Sequence, residues 1–256
     1  MRDVKVATWN LNSIRARTER LTAWLEHEKP AVLCIQETKV EDAGFPHALF
    51  EKLGYHVETF GQRSYNGVAI ASTAPLADVA RTFEDGGEED GARLIAATTH
   101  GLRVVCVYVP NGQALDSDRY PYKLVWLRRL RAYLDRTALP ETILCGDMNV
   151  TRDDRDVWAP DQWTEKIHCS TPEREALAEV MGYPLVDLFR AKHPEGGVYS
   201  WWDYRGVALF KNQGLRIDFV FGTAAVAARC TGCTIDRTAR KGQDASDHAP
   251  VIAELA

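Results

Sequence analysis

Short apolar runs recur along the whole chain, and most of them have the length of a β-strand. Runs of this length, bounded by polar or turn residues, are typical of buried strands. The runs at 93–99 and 102–109 are so close that we expect them to form a hairpin. The predicted strands lie at about 4–10, 31–37, 66–72, 93–99, 102–109, 142–148, 215–222 and 249–254.

Three segments between these runs have helical spacing. Segments 18–28 and 122–135 each place apolar side chains on one helix face. A third helix is predicted from Thr171 to about Met181, with Thr171 as its N-cap and Pro172 at the first helical position. Because strands are many, helices are few and some strands form hairpins, the sequence predicts an α/β (α+β) fold with mixed sheets. Two sheets packed face to face, with the helices outside, would bury every apolar run.

Five of the apolar regions carry, at one end, side chains that bind metals or exchange protons. A carboxylate at the tip of a buried strand loses its hydration, which is costly unless the group is paired or bound to a metal. Five such tips indicate a single site at one edge of a sheet. The residues at these tips are Asn10, Glu37, Asp147, Asn149, Asp218, Asp247 and His248.

The spacing within two of these tips indicates how their side chains are arranged. Asp147 and Asn149 point to the same side, since side chains alternate along a strand. Asp247 and His248 are neighbours and face opposite ways, so they cannot form a hydrogen-bonded pair within one strand. We therefore expect His248 to pair with Asp218.

Carboxylate and amide side chains of this kind suit metal-assisted hydrolysis of a phosphodiester. Such hard oxygen ligands bind Mg²⁺ or Mn²⁺ and leave water in the coordination sphere. The sequence has neither a serine nucleophile elbow nor a glycine-rich phosphate loop. A lone CxxC at 230–233 would need two further ligands to bind zinc, so no functional role is expected for it.

Composition and charge argue against other classes of protein. The chain has 256 residues with 45% hydrophobic and 26% charged residues, and no linker divides it, so one globular domain over 1–256 is expected. A net charge of −5 argues against a protein that coats nucleic acid through bulk charge. No apolar run is long enough to cross a membrane. The acidic run at 84–90 indicates a solvated loop rather than a Ca²⁺ site.

The N-terminus and the cysteines indicate a cytoplasmic protein. The chain enters a strand-like run at once, without a signal-peptide pattern, so we expect no extension before the first strand. Three of the six cysteines lie inside apolar runs, where a free thiol packs as a small hydrophobic group. That use of cysteine is typical of a reducing compartment.

Seven short motifs connect the chain to a known family. They occur in the order found in exonuclease III, so the chain resembles the bacterial branch of that family of apurinic/apyrimidinic (AP) endonucleases. The wider superfamily is that of endonucleases, exonucleases and phosphatases. The likeness covers essentially the whole chain, and SWWDYR and GLRID narrow it to exonuclease III. The motifs are TWNLN at 8–12, IQETK at 35–39, VYVPNG at 107–112, GDMN at 146–149, SWWDYR at 200–205, GLRID at 214–218 and SDHAP at 246–250.

This resemblance implies a four-layered α/β/β/α sandwich, a Mg²⁺ cofactor for which Mn²⁺ substitutes, and roles for individual residues. Glu37 looks like the main metal ligand. Asp147 resembles the group that activates the attacking water, with Asn149 as its positioning partner. His248 is similar to a phosphate-contacting group oriented by Asp218. The implied metal-binding set is Asn10, Glu37, Asp147, Asn149, Asp247 and His248.

The resemblance also implies a substrate-binding set. Tyr108 and Asn111 match a pair that contacts the scissile phosphate, so Tyr108 joins the catalytic residues. Trp201 and Leu215 match an apolar pocket for an extruded abasic sugar, although packing in the core explains a tryptophan there equally well. The basic loop 237–241 is either a phosphate contact or an ordinary solvated loop. The implied substrate-binding set is Asn12, Asn111, Trp201, Leu215, Arg205, Arg240 and Lys241.

The activity implied by the resemblance is Mg²⁺-dependent DNA repair. Cleavage 5′ to abasic sites in duplex DNA is expected, together with 3′–5′ exonuclease and 3′-phosphodiesterase or phosphatase activity. We expect a monomer in the bacterial cytoplasm, at the nucleoid, which needs neither a membrane nor an obligate protein partner.

Two alternatives remain for the function. A phosphatase of lipid or inositol substrates would need a basic pocket or a membrane-facing apolar loop. A DNA-binding module that has lost catalysis is the second alternative, and the complete set of polar tips argues against it.

Overall fold

The computed structural model describes residues 3–86, 91–137, 139–205 and 207–256. The expected acidic loop at 84–90 therefore lies partly outside the described residues. The α-helices in these ranges are α1 (Thr18–Glu28), α2 (His47–Lys52), α3 (Arg119–Thr137), α4 (Pro160–Trp163), α5 (Thr171–Gly182), α6 (Leu188–Lys192) and α7 (Ala224–Arg229). The strands are β1 (Val4–Asn10), β2 (Val32–Gln36), β3 (His56–Phe60), β4 (Val68–Ser72), β5 (Ala77–Ala80), β6 (Leu94–Thr99), β7 (Leu102–Tyr108), β8 (Thr142–Asp147), β9 (Leu185–Asp187), β10 (Asp218–Thr223), β11 (Cys230–Ile235) and β12 (Val251–Leu255).

The described strands form two mixed six-stranded sheets with the same plan. The first sheet has the order β11-β12-β1-β2-β4-β3, and the second has the order β5-β6-β7-β8-β10-β9. The central pair of each sheet, β1–β2 or β7–β8, is parallel. All other pairs in the two sheets are antiparallel. The carboxyl ends of each central pair therefore lie together at one edge.

The two sheets pack face to face, and the helices cover their outer faces. A cluster between the sheets buries residues of both, such as Val32 of β2 and Val104 of β7. Leu21 of α1 and Phe50 of α2 pack against the outer face of the first sheet. Leu127 of α3 and Leu177 of α5 lie in the corresponding cluster on the second sheet. The predicted four-layered sandwich is confirmed.

The observed elements differ from the predicted ones mainly at the edges of the sheets. Strands β3, β5, β9 and β11 were not predicted, and β3, β5 and β11 are partly exposed and lack a continuous apolar run. The strand predicted at 215–222 begins only at Asp218, because Leu215 forms isolated bridges with Val157 and Trp201. No helix in the described ranges has the length and apolar character needed to cross a membrane.

The start of α5 corrects the predicted helix cap. Ser170, not Thr171, is the N-cap, and its side chain accepts from the N3 backbone while the Glu173 side chain bonds back to the N-cap backbone. The Pro172 that suggested the cap therefore lies one position further into the helix. This reciprocal arrangement satisfies two backbone donors that a helix start leaves unpaired.

Candidate active site

The site lies where the central strands of both sheets end. Asn10 ends β1, beside the end of β2, and β2 leads directly into Glu37. Tyr108 and Asp147 end the parallel strands β7 and β8 and are partners in the register. Strand β10 runs antiparallel to β8 and begins at the same edge, where Asp218 is the partner of Asp147. The structure thus brings the predicted strand tips together.

Three of the predicted residues form a group that could hold a metal ion. Glu37, Asp147 and His248 each offer one potential ligand atom, and these atoms lie within 4.8 Å of one another. The Asn10 amide nitrogen donates to Glu37 Oε1 at 2.8 Å and to Asp147 Oδ2 at 2.9 Å. Its amide oxygen accepts from the backbone N–H of Asn12 at 2.9 Å. Asn10 therefore presents a donor to the two carboxylates, whereas the predicted metal contact needs its oxygen.

Glu37 and Asn149 have strained backbones. Their φ angles are 53° and 50°, in the left-handed region that favours glycine. A non-glycine residue in such a conformation costs on the order of 1 kcal/mol, and surrounding contacts have to hold it there. The backbone N–H of Ser13 donates to Glu37 O at 2.8 Å, and that of Asn149 donates to Asp147 Oδ1 at 2.9 Å. These two hydrogen bonds hold the backbone of Glu37 and Asn149 in place.

His248 pairs with Asp218, as the sequence predicts. Its Nδ1 donates to Asp218 Oδ2 at 2.9 Å, and its Nε2 lies 3.8 Å from Asp147 Oδ2. Ser200 Oγ holds Asp218 from behind by donating to Oδ2 at 2.6 Å. Burial by itself would lower the pKa of His248, but the charges of Asp218 and Asp147 raise it well above its ordinary value. The ring therefore carries a proton at neutral pH, which suits contact with an anion rather than metal ligation.

Asp147 is a buried carboxylate with an unusual affinity for protons. Burial raises its pKa, His248 opposes this shift, and the nearby charges of Asp218 and Glu37 add to it. Its Oδ2 also accepts from the Asn149 amide at 3.3 Å. A carboxylate with a raised pKa is better matched to accepting a proton near neutral pH.

Tyr108 ends β7 and is the register partner of Asp147. Burial and the charges of Glu37 and Asp147 raise the pKa of its phenol. The Arg93 guanidinium lies 4.7 Å from the centre of the Tyr108 ring. Tyr108 therefore stays protonated and is available as a donor at the site.

Asp247 is held by two other predicted residues. Its Oδ1 accepts from Asn12 Nδ2 at 3.0 Å, and its Oδ2 accepts from Trp201 Nε1 at 3.0 Å. Burial would raise the pKa of Asp247, but His248 and these two hydrogen bonds lower it. Asp247 lies outside the group of ligand atoms formed by Glu37, Asp147 and His248. The Asp247 carboxylate thus connects the Trp201 side chain to Asn12 in the loop after β1. The predicted contact of Asp247 with a metal stays a prediction.

The two residues of the predicted pocket differ in exposure. Trp201 is half-buried and forms a bridge with Leu215, which is fully buried. Leu215 packs with Val157 and Cys169 behind Trp201. Core packing explains Trp202, which is 1% exposed, whereas Trp201 is only partly buried.

The basic residues of the predicted DNA surface also differ. The side chains of Arg205 and Lys241 are exposed. Arg240 is only 7% exposed, and it donates to Trp202 O at 3.3 Å and lies over the Tyr204 ring. Its surroundings are those of a structural contact, unlike the open loop that the sequence suggested.

Sequence reasoning missed Lys39. Its ammonium lies 2.8 Å from Glu37 Oε2 and 2.5 Å from Asn12 Oδ1. The only sequence signal was its place two residues after Glu37, and the strand period does not extend to it because β2 ends at Gln36. Lys39 balances part of the negative charge of the site.

The donors of this cluster fit a divalent cation. Glu37 and Asp147 supply the hard carboxylate oxygens that Mg²⁺, Ca²⁺ and Mn²⁺ prefer. The carboxylates come from different sheets and lie close enough to repel each other, a repulsion that a cation would remove. A metal could therefore be held mainly by Glu37 and Asp147, between the ends of β2 and β8.

Comparisons with known proteins agree with this geometry. A model of the Endonuclease/Exonuclease/phosphatase family matches residues 7–248. Exodeoxyribonuclease III of Haemophilus influenzae is 34% identical over 266 aligned residues, which cover 98% of this chain and 100% of that protein.

Solved structures are similar over nearly the whole chain. An AP endonuclease from Archaeoglobus fulgidus has a TM-score of 0.95 and 40% identity, covering 98% of this chain and 99% of its own. A 3′ phosphatase from Neisseria, bound to a product DNA hairpin, has a TM-score of 0.96 and 38% identity, covering 99% of each chain. The family match at 7–248 spans the positions of the site residues described above.

Proposed function

The chain belongs to the endonuclease/exonuclease/phosphatase family and is an exonuclease III-like nuclease, and from this premise we propose that it is a Mg²⁺-dependent DNA repair enzyme. It cleaves duplex DNA 5′ to abasic sites and leaves a 3′-hydroxyl. It also trims 3′ ends as a 3′–5′ exonuclease and a 3′-phosphodiesterase or phosphatase. The observation that carries the proposal is the convergence of Glu37, Asp147 and His248 where the central strands of the two sheets end.

The proposed metal is Mg²⁺, with Mn²⁺ as a substitute. Glu37 is its main ligand, and the other proposed ligands are Asn10, Asp147, Asn149, Asp247 and His248. When bound, such a cation neutralises phosphate charge and stabilises the leaving oxygen. Ligation by Asn10 requires its amide to turn, and ligation by His248 requires loss of the ring proton, so both contribute less than the carboxylates.

In the proposed reaction, one side chain accepts a proton from water and another donates a hydrogen bond to the phosphate. Asp147, whose burial raises its pKa, accepts a proton from the attacking water. Asn149 orients that water together with Asp147. His248, kept protonated by Asp218, donates a hydrogen bond to a phosphate oxygen and stabilises the added charge. Tyr108 and Asn111 contact the same phosphate as donors.

The proposed substrate is duplex DNA with an abasic site or a blocked 3′ end. Trp201, supported from behind by Leu215, forms the apolar wall against which a sugar without a base is held. Asn12, Arg205, Arg240 and Lys241 complete the proposed contacts with DNA. The exposed Arg205 and Lys241 are the stronger candidates for phosphate contacts, because Arg240 is nearly buried.

The site also suggests how the protein is organised. Because the site uses residues of both sheets, we propose one domain over 1–256. We further propose that it acts as a monomer, since the proposed site is built from one chain. The six cysteines are free thiols, which fits a reducing compartment. An enzyme that repairs chromosomal DNA has to work where the DNA lies, so we propose the bacterial cytoplasm, at the nucleoid, with no obligate protein partner.

A duplex that carries one tetrahydrofuran abasic analogue tests this proposal. We expect a single cut 5′ to the analogue with Mg²⁺ and none with EDTA, and a polymerase should extend the new 3′-hydroxyl. Parallel reactions with inositol phosphates and phospholipid vesicles test the phosphatase alternative. Binding of the duplex without cutting would favour an inactive DNA-binding module, and release of phosphate only from inositol or lipid substrates would contradict the proposal.

A further inference from the structure

A buried ion pair lies directly behind the site. Lys123 of α3 and Glu173 of α5 form a salt bridge in which both side chains are 0% exposed. Two charges buried in this way usually stabilise a fold no better than an apolar pair of the same shape, because both lose their hydration. The pair therefore calls for an explanation other than stability.

The hydrogen bonds of Lys123 lead to the site. Its ammonium donates to Asn149 O at 2.6 Å, to Asn111 O at 3.1 Å and to the Glu173 carboxylate. All three ammonium protons are used, and two of the three acceptors are backbone oxygens of predicted site residues. Lys123 thus joins the loop after β7 to the loop after β8.

Glu173 connects Lys123 to the backbone just before α5. Its Oε1 accepts from the backbone N–H of His168 at 3.1 Å, and its Oε2 accepts from the backbone N–H and the hydroxyl of Ser170 at 3.2 and 2.6 Å. The His168 ring also contacts the site, because its Nδ1 donates to Asn149 O at 2.6 Å. The carbonyl of Asn149 therefore accepts from both Lys123 and His168.

These contacts act on a residue that needs support. Asn149 has φ 50°, and His168 has φ 72°. Through this turn the Asn149 side chain meets Asp147 at 3.3 Å, and the Asn111 amide donates to Asn149 Oδ1 at 3.3 Å. The Asn149 amide also donates to Val109 O at 2.9 Å, so release of the Asn149 carbonyl would loosen the turn and shift the amide relative to Asp147.

We propose that Lys123, held by Glu173, is a positioning residue that fixes Asn149 and Asn111 for the reaction at Asp147. It touches neither substrate nor metal and acts only through the two asparagines. The inference rests on the proposed function, because it assigns Lys123 a part in the same reaction.

The double variant Lys123→Met/Glu173→Gln removes both charges and keeps their shape. We expect kcat for the abasic duplex to fall about 10- to 100-fold, as for a small misplacement of catalytic groups, while KM and the Kd for DNA change less than about threefold. In the free protein labelled with ¹⁵N-asparagine, the side-chain amide resonances of Asn111 and Asn149 should shift. If the double variant does not fold, Glu173→Gln alone should show the same pattern with a smaller loss.

Leu127→Ala is the matched control. Leu127 is fully buried one turn further along α3 and packs in the cluster on the second sheet. This variant loses stability as well, but its kcat and the two asparagine resonances should match those of the wild type. Equal losses of kcat in both variants, or unchanged resonances in the double variant, would overturn the inference. If the wild type itself fails to cut, the proposed function falls and this inference with it, whereas a normal kcat in the double variant refutes the inference alone.

Discussion

His248 donates its Nδ1 proton to Asp218 Oδ2 across 2.9 Å, and Asp218 is fully buried. A buried carboxylate at this distance keeps the imidazole both oriented and charged. The other ring nitrogen is thereby directed toward Asp147, at 3.8 Å. This pair fixes the charge on one side of the site.

The variant Asp218→Asn tests whether the negative charge of Asp218 keeps His248 protonated. Asp218 raises the pKa of His248, and the proposed reaction uses the protonated ring. Loss of the carboxylate lowers this pKa, so the alkaline limb of the kcat profile should move to lower pH, and kcat should fall about 100-fold. Rate measurements over a pH series check this, and an alkaline limb at the wild-type position would show that the charge of Asp218 is not needed.

The variant Asp147→Asn tests the group that accepts the proton. We expect kcat to fall at least about a thousandfold, because an amide cannot take a proton from water, while DNA affinity stays within about threefold. Single-turnover cleavage and fluorescence anisotropy measure the two quantities. Asp78→Asn on the edge strand β5 is the control and should be fully active. Turnover near the wild-type rate in Asp147→Asn would remove Asp147 from its role.

His168 makes stability depend on pH. Burial and the charge of Lys123 lower its pKa from 6.5 to about 3, so below pH 6.5 the unfolded chain binds a proton that the folded chain excludes. Stability due to His168 is therefore full above pH 6.5 and is lost as the pH falls toward 3, by about 2 kcal/mol between pH 7 and pH 5.

Urea unfolding of the wild type and of His168→Asn at a series of pH values measures this contribution. Asparagine can still donate to Asn149 O but does not titrate. The difference between the two free energies of unfolding should change by about 2 kcal/mol from pH 7 to pH 5. A difference that is constant over this range would show that His168 titrates normally in the folded protein.

Arg205 and Lys241 are expected to contact DNA phosphates. Each alanine variant should reduce the slope of log K against log salt concentration by about 1, because one fewer counterion is released. Anisotropy measurements in the Asp147→Asn background keep the DNA intact. Lys29→Ala is the control, since Lys29 is exposed and precedes β2 at the edge opposite the site. If the salt dependence of DNA binding in both variants were as steep as in the Asp147→Asn protein, neither Arg205 nor Lys241 would contact a DNA phosphate.

The sequence predicted the interior of the fold better than its margins. The eight apolar runs all became strands, and α1 has the predicted bounds, because buried strands and amphipathic helices carry their pattern locally. Strand β3 has one buried position and β5 also has one, and such half-exposed edge strands carry too weak a pattern to be found. The pairing that makes them strands comes from their neighbours in the sheet.

The site was predictable where it depends on strand ends and unpredictable where it depends on long side chains. Asn10, Glu37 and Asp147 follow from the position of strand tips in parallel pairs. Lys123 lies within a predicted helix, but only the packing of α3 and α5 turns its ammonium toward the loops of the site. Burial of Arg240 over Tyr204 likewise depends on tertiary contacts that no local pattern encodes.

The central claim is that Glu37 and Asp147 hold a divalent metal at which a phosphodiester is cut. The most direct measurement is the Mg²⁺ concentration that gives half-maximal nicking of the abasic duplex by the wild type, Glu37→Gln and the exposed control Glu254→Gln. We predict no nicking in EDTA, a requirement for Mg²⁺ that rises at least about tenfold in Glu37→Gln, and no change in Glu254→Gln. Nicking by the wild type in EDTA, or the same Mg²⁺ requirement in Glu37→Gln as in the wild type, would contradict the account.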